Sequence, residues 1–171
     1  MTMDQELIAQ AQALLDLCRR KQIKIAAAES CTGGLLAAVL TEIPGSSDVL
    51  ERGFVTYSNE AKQAMLGVPA TVLERHGAVS RETAEAMAKG AVAHAPVDLA
   101  VSITGIAGPG GATAGKPVGL VHLAAASRDG RLIQRERRYG DVGRAQVRRA
   151  SVHEALAMLG ELAAQEQRQP R

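Results

Sequence analysis

Strand-like and helix-like segments alternate along the chain, and this alternation constrains the fold more than any other feature of the sequence. The candidate strands are Ile23–Ala28, Gly53–Tyr57, Leu99–Thr104, Lys116–Ala126 and Arg131–Tyr139. The candidate helices are residues 4–20, Gly33–Thr41, a helix from Glu60 that ends before Gly67, a helix capped by Ser80 and closed by Pro96, and Gly143–Glu166. Strands separated by helices pair in parallel, whereas Asp129-Gly130 between two strands indicates a hairpin. The pattern predicts the α/β class, as a single layered α/β/α domain with a mixed, mostly parallel sheet.

The length and composition fit one domain. The chain has 171 residues, of which 46% are hydrophobic, and this is enough to bury a core without metal or disulfide cross-links. We therefore expect a single domain over residues 1–171, with a flexible polar tail at 166–171.

Several classes of function and location are disfavoured by composition. Aromatic side chains make up only 2% of the chain, so there is little surface on which exposed bases could stack, and we expect no nucleic-acid partner. The N-terminal residues lack a basic start followed by an apolar run, and no apolar stretch approaches the roughly 20 residues that span a bilayer. We expect a cytoplasmic protein without a membrane partner. No cluster of His, Cys, Asp and Glu has ligand spacing, so we predict no metal.

The segment AAAESCTGG, residues 26–34, is the sharpest local signal because it places a serine between a buried strand and a helix that begins with glycines. The backbone N–H groups of Thr32, Gly33 and Gly34 are expected to be unpaired at the first helical turn, where they could bind an oxyanion. Ser30 would then be a nucleophile, with the adjacent Cys31 packed against the sheet. A simple Ser/Thr helix cap with glycines for close packing is the alternative interpretation.

A serine nucleophile needs a base, and Lys62 is the best candidate. The four histidines are scattered through an expected loop (His76), two helices (His94 and His153) and a strand (His122), without local motifs. With Asn59 as the cap, Lys62 would lie in the first turn of its helix, where the dipole and partial burial both lower the pKa of an amine. Tyr57, at the end of the preceding strand, could relay the proton. A solvated lysine beside a packed tyrosine is the alternative.

Two further segments are candidates for ligand binding. The loop ITGIAGPGG, residues 103–111, follows a strand, and its glycines allow backbone amides to approach a polar ligand closely. Arg144 and Arg148 share one face at the start of the last helix, where a bound phosphate or carboxylate would explain them better than stability does. A plain loop and a solvated arginine face are the alternatives.

Four segments together resemble, in order and spacing, the C-terminal domain of the competence/damage-inducible CinA proteins. These segments are AESCTGG, RGFVTYSNEAKQAMLGV, HGAVS and SITGIAGPGG. The resemblance covers residues 5–165. The stand-alone members of that family are nicotinamide-nucleotide amidohydrolases. The resemblance implies an enzyme that converts nicotinamide mononucleotide to nicotinic acid mononucleotide and ammonia, as a homo-oligomer and without a cofactor.

Site residues follow from the resemblance by motif. Ser30 is implied as the nucleophile, and Tyr57 and Lys62 as its proton-handling partners. The resemblance also implies that Arg144 contacts the substrate, and the two glycine-rich segments described above add the predicted substrate-binding residues Thr32, Gly33, Gly34, Thr104, Gly105 and Gly108. The match is loosest at GDVGRAQVRR, where two residues separate Gly140-Asp141 from Arg144, so Arg148 is the alternative anion contact. A non-enzymatic nucleotide-sensing module and an amidase for another anionic carboxamide are the alternative functions.

Overall fold

The computed structural model describes residues 4–167. The helices are α1 (Gln5–Lys21), α2 (Leu35–Thr41), α3 (Asn59–Leu66), α4 (Ala70–His76), α5 (Arg81–Ala93) and α6 (Arg144–Gln165). The strands are β1 (Ile25–Glu29), β2 (Leu50–Val55), β3 (Leu99–Gly105), β4 (Leu120–Ser127) and β5 (Leu132–Arg138). A short 3-10 turn, Ser46–Asp48, precedes β2.

The five strands form one sheet in the order β2-β1-β3-β4-β5. Strand β1 pairs in parallel with both β2 and β3, whereas β4 is antiparallel to both β3 and β5. Four strands therefore run in one direction and β4 runs against them. The prediction of a mixed, mostly parallel sheet is confirmed.

Helices cover both faces of the sheet because the strands alternate their side chains between two cores. In β1, Ile25 and Ala27 belong to the core beneath α1, α2 and α6, whereas Ala26 and Ala28 belong to the core beneath α5. This is the period of two that a strand buried on both faces must show. The layered α/β/α arrangement predicted from the sequence is thus confirmed.

Side-chain caps begin three of the helices at the expected kinds of residue. Asp4 accepts a hydrogen bond from the backbone N–H of Glu6 at the start of α1, and Ser80 accepts one from Thr83 at the start of α5. Of the two caps that Ser58-Asn59 offers, Ser58 caps α3, and Asn59 is the first helical residue. Such caps satisfy donors that the first turn leaves unpaired.

Some predicted boundaries are wrong. The segment Ala70–His76 is a helix that the sequence analysis did not identify, so His76 ends α4 and does not lie in a loop. Strand β4 begins at Leu120, four residues after Lys116, and α2 begins at Leu35, two residues after Gly33. Tyr57 lies two residues beyond the end of β2. Of the predicted tail, residues 168–171 lie outside the described residues. Within residues 4–167, no helix is long and apolar enough to cross a bilayer.

Candidate active site

A cavity of about 290 Å³ opens at the carboxyl ends of β1 and β3. The connection that leaves β1 leads to β2 on one side, whereas the connection that leaves β3 leads to β4 on the other, so the two connections leave in opposite directions at this point. Crevices at such switch points are the usual ligand sites of open α/β sheets. The lining residues are Ser30, Cys31, Tyr57, Asn59, Lys62, Ala78, Val79, Thr104, Gly105, Ile106, Ala107, Gly108, Gly110, Gly111 and Arg144.

Ser30 and Lys62 are in direct contact at the wall of this cavity. The Nζ atom of Lys62 lies 3.0 Å from Ser30 Oγ and donates a second hydrogen bond to the carbonyl of Thr56 at 2.8 Å. Ser30 is held at the end of the sheet because its own N–H donates to the carbonyl of Ile103. Only 9% of Ser30 and 1% of Lys62 are exposed. The fold thus pairs a serine hydroxyl with a buried amine.

Burial lowers the pKa of the Lys62 ammonium from its ordinary value of 10.5, and the smaller effect of the nearby Cys31 is in the opposite direction. The direction agrees with the prediction, and of its two predicted causes burial is the one that acts. Lys62 is the fourth residue of α3, one position beyond the first turn, and its N–H already bonds to the carbonyl of Ser58. No carboxylate lies against Nζ among the described residues to favour the charged form.

The predicted set of three unpaired donors in the turn after β1 is wrong for both glycines. The N–H of Gly33 donates to the carbonyl of Ser30, and the N–H of Gly34 donates to Glu29 Oε2 at 3.1 Å. Among residues 4–167, the N–H of Thr32 has no hydrogen-bond acceptor. Only the N–H of Thr32 is therefore unpaired, and none of these three predicted substrate-binding residues lines the cavity. The sequence analysis missed Glu29, although an acid beside a helix that starts with glycines is a signal for N-terminal capping.

Tyr57 and Arg144 meet at the mouth of the cavity. Arg144 donates through Nη2 to the Tyr57 hydroxyl at 2.7 Å and through Nη1 to the carbonyl of Gly108 at 2.9 Å. Tyr57 is 60% exposed, whereas Lys62 is buried. The structure therefore places Lys62, and not Tyr57, in hydrogen-bond contact with Ser30.

The two arginines of α6 have different surroundings, although they lie one turn apart. Arg144 lines the cavity. Arg148 instead donates through Nη2 to the carbonyl of Thr32 at 2.7 Å and is not among the lining residues. Arg144 is thus the arginine that a ligand in the cavity can reach, and Arg148 supports the turn that carries Ser30.

The glycine-rich loop forms the opposite wall, where Thr104, Gly105 and Gly108 all line the cavity. The Thr104 hydroxyl donates to the carbonyl of Ala78 at 2.7 Å, and so ties β3 to the loop before α5. A Cβ atom at Gly105 would lie 2.8 Å from the carbonyl of Leu120, so the close approach of β3 and β4 requires glycine there.

One group of three potential metal ligands, Asp4, Glu6 and His153, comes together within the described part of the chain. The sequence spacing did not indicate it. Arg149 forms ion pairs with both Asp4 and Glu6, so a cation there already balances the carboxylates. None of these residues lines the cavity, and a metal-free site remains a prediction.

Known proteins are similar to this chain in fold and in sequence. The chain superposes on the crystal structure of competence/damage inducible protein CihA from Agrobacterium tumefaciens with a TM-score of 0.92, at 50% identity over 95% of this chain and 99% of that one. A competence-damaged protein (CinA) superfamily protein from Escherichia coli gives a TM-score of 0.87 at 32% identity, covering 95% and 94% of the two chains.

Curated relatives extend the comparison to longer proteins. A CinA-like protein from Synechococcus sp. is 49% identical over 150 residues, which are 87% of this chain and 36% of that protein. One from Akkermansia muciniphila is 55% identical over 111 residues, 65% of this chain and 27% of that protein. The matched part thus spans about a third of these relatives. Residues 7–163 match the family described as the CinA C-terminal domain, and the chain belongs to that family.

Proposed function

We propose that this protein is an amidohydrolase that converts nicotinamide mononucleotide to nicotinic acid mononucleotide and ammonia. The observation that carries the proposal is the contact of 3.0 Å between Lys62 Nζ and Ser30 Oγ in the cavity wall. A buried lysine without a carboxylate partner is costly to keep charged. A neutral amine against a serine hydroxyl is the arrangement that activates a serine nucleophile. The nucleotide substrate comes from the resemblance of the sequence motifs to the stand-alone amidohydrolases.

The proposed reaction is acyl transfer through Ser30. The neutral amine of Lys62 accepts the Ser30 proton while Oγ forms a bond to the carboxamide carbon. Collapse of the tetrahedral intermediate breaks the C–N bond as the Lys62 ammonium gives its proton to the amide nitrogen, which leaves as ammonia. Water then attacks the ester with Lys62 as base, which releases the carboxylate product and restores Ser30. Because Lys62 touches Oγ directly, it serves as base and acid in turn.

The developing oxyanion needs donors that the protein does not already use. The N–H of Thr32 is unpaired among the described residues and two residues from the nucleophile, but Thr32 is fully buried and does not line the cavity, so the donors for this charge must come from residues that do line it. Loss of a single donor of this kind costs about 100- to 1000-fold in turnover. Arg144, at the cavity mouth, is assigned to the phosphate of the substrate, because guanidinium pairs well with phosphate oxygens.

The decisive experiment is to incubate the protein with nicotinamide mononucleotide and measure ammonia and nicotinic acid mononucleotide. We expect stoichiometric release of both products by the wild type and none by Ser30→Ala. The matched control is Ser46→Ala, since Ser46 is also 9% exposed but lies outside the cavity, and it should retain full activity. Absence of turnover by the wild type at every pH would contradict the proposal and favour a nucleotide-sensing module. Turnover only of another anionic carboxamide would favour a different amidase.

A further inference from the structure

The carboxylate of Glu29, the residue before the nucleophile, occupies the N-terminal end of α2. Its Oε2 accepts hydrogen bonds from the N–H groups of Gly34 and Leu36, each at 3.1 Å, and its Oε1 accepts one from Ala37 at 3.0 Å. Only 1% of Glu29 is exposed. A charged side chain this deeply buried is compatible with a stable fold only when its hydrogen bonds are satisfied, and here the helix terminus satisfies them.

The backbone of Glu29 is fixed as firmly as its side chain. It is the last residue of β1 and pairs with Val55 of β2 on one side and Ile103 of β3 on the other. Its carbonyl accepts a hydrogen bond from Thr56 at 2.8 Å. Glu29 therefore connects the rigid centre of the sheet to the first turn of α2, and Ser30 lies in the short segment between these two attachments.

We infer that Glu29 is a positioning residue, which sets the direction of the Ser30 side chain by anchoring α2 to the end of β1. This inference rests on the proposed function, since it assigns Glu29 a role in the reaction of Ser30. Glu29 is not among the residues that line the cavity, so it does not touch the substrate. It acts on the geometry of Ser30 toward Lys62.

Through the same contacts, the Glu29 carboxylate occupies the positive end of the α2 helix dipole. Because the Glu29 carboxylate already binds the donors of the first turn, this terminus holds an internal anion and not the oxyanion of the reaction. The role of Glu29 is thus to fix the turn, and the catalytic charge must be held by donors nearer to Ser30.

The test is the carboxylate-to-amide substitution Glu29→Gln. A Gln side chain of the same shape replaces one acceptor oxygen by an NH₂ group, which cannot accept from a backbone N–H. We expect kcat to fall by about 10- to 100-fold, as small misplacements of reacting groups do. KM and the pH at which activity rises should stay unchanged, because Arg144 and Lys62 are untouched. A purely structural role would lower only the melting temperature, so kinetics are measured where circular dichroism shows a fully folded variant.

Asp98→Asn is the matched control, because the Asp98 carboxylate accepts from the backbone N–H of Lys24 at 2.7 Å at the opposite end of β1. It should keep wild-type kcat. As a second measurement, the rate at which a phosphonofluoridate labels Ser30 should fall in Glu29→Gln by a factor similar to that of kcat.

Each outcome separates the two proposals. If the phosphonofluoridate labels Ser30 of the wild type but the wild type releases no ammonia, the proposal of a nicotinamide substrate is contradicted. The labelling rate of Glu29→Gln then still tests the role of Glu29. Folded Glu29→Gln that labels and turns over at wild-type rates would overturn the inference.

Discussion

Arg144 and Tyr57 are joined across the mouth of the cavity by a hydrogen bond of 2.7 Å from Nη2 to the phenolic oxygen. The two residues are 87 positions apart in the sequence, and their contact keeps the guanidinium of Arg144 at the cavity. The arginine is thus held where a phosphate group can reach it.

We predict that Arg144→Ala raises KM for nicotinamide mononucleotide by about 10- to 100-fold, since hydrogen bonds to charged groups contribute about 1.5–3 kcal/mol. KM for the phosphate-free riboside should change little. Arg144→Lys should recover only part of the loss, because an ammonium lacks the planar fork of guanidinium. Steady-state kinetics with the two substrates check this, and equal effects on both would contradict the phosphate assignment.

Arg148→Ala is the control on the next turn of α6. Arg148 contacts the carbonyl of Thr32 and not the cavity, so its loss should lower kcat and leave the ratio of the two KM values unchanged. A selective KM effect at Arg148 would exchange the roles of the two arginines.

A second prediction concerns the pH dependence of turnover. Lys62 must be neutral to accept the Ser30 proton, and burial lowers its pKa from 10.5. The value of kcat/KM should therefore rise with pH through a single ionisation that lies clearly below 10.5. Lys62→Arg should be inactive over the whole range in which it is folded, because guanidinium does not deprotonate. A profile that is flat from acid to neutral pH, or an active Lys62→Arg protein, would exclude Lys62 as the base.

The same lowered pKa has a consequence for stability that does not depend on any substrate. Between the folded pKa of Lys62 and 10.5, the unfolded chain holds a proton that the folded chain has lost, so wild-type stability rises with pH in this window. We predict that Lys62→Met is most favourable, relative to the wild type, at pH values below the folded pKa. This relative gain should shrink as the pH approaches 10.5. Urea unfolding of both proteins across pH measures it, and a pH-independent difference would contradict a buried, perturbed lysine.

The fold could be predicted from the sequence where local pattern and tertiary structure agree. Local sequence specifies the structure within a few residues at three places: the apolar run before Ser30, the glycines after it and the Asp129-Gly130 turn. The alternation of strands and helices along the chain then predicted a mixed, mostly parallel sheet. Helix α4 was missed because it has only seven residues and no side-chain cap at Pro69. Short helices of this kind depend on packing and not on local propensity.

The candidate site could be predicted only in part, because its contacts join residues that are distant in the sequence. Lys62 was identified as a base, but its contact with Ser30 spans 32 positions and depends on how α3 packs beside β1. Glu29 appears in the sequence as an acid at the end of a strand, and the direction of its side chain depends on the position of α2. That direction decided which backbone donors remained free.

A pair of glycines in helices provides a fourth prediction. In α5, a Cβ atom at Gly90 would lie 2.0 Å from the carbonyl oxygen of Leu66, the last residue of the helix that carries Lys62. Gly90→Ala should therefore destabilise the protein by about 1–3 kcal/mol, as overpacking does. Gly160, in the interior of α6, has no atom within 4 Å of the corresponding position, so Gly160→Ala should stabilise by about 0.5–1 kcal/mol. Chemical denaturation of both variants measures these changes, and a shift of the same sign in both would contradict the packing of α5 on α3.

The last prediction separates Ser30 from Cys31 as the nucleophile. Both line the cavity, and a thiolate is intrinsically the stronger nucleophile. Burial, however, raises the pKa of the Cys31 thiol to about 11, so at neutral pH the sulfur stays protonated, whereas Ser30 has the Lys62 amine at 3.0 Å. Ser30→Ala should abolish turnover with folding intact, and Cys31→Ala should keep most of it. Iodoacetamide at neutral pH should leave the wild type active. A Ser30→Ala protein that still turns over, and that alkylation of Cys31 then inactivates, would show that the thiol performs the attack.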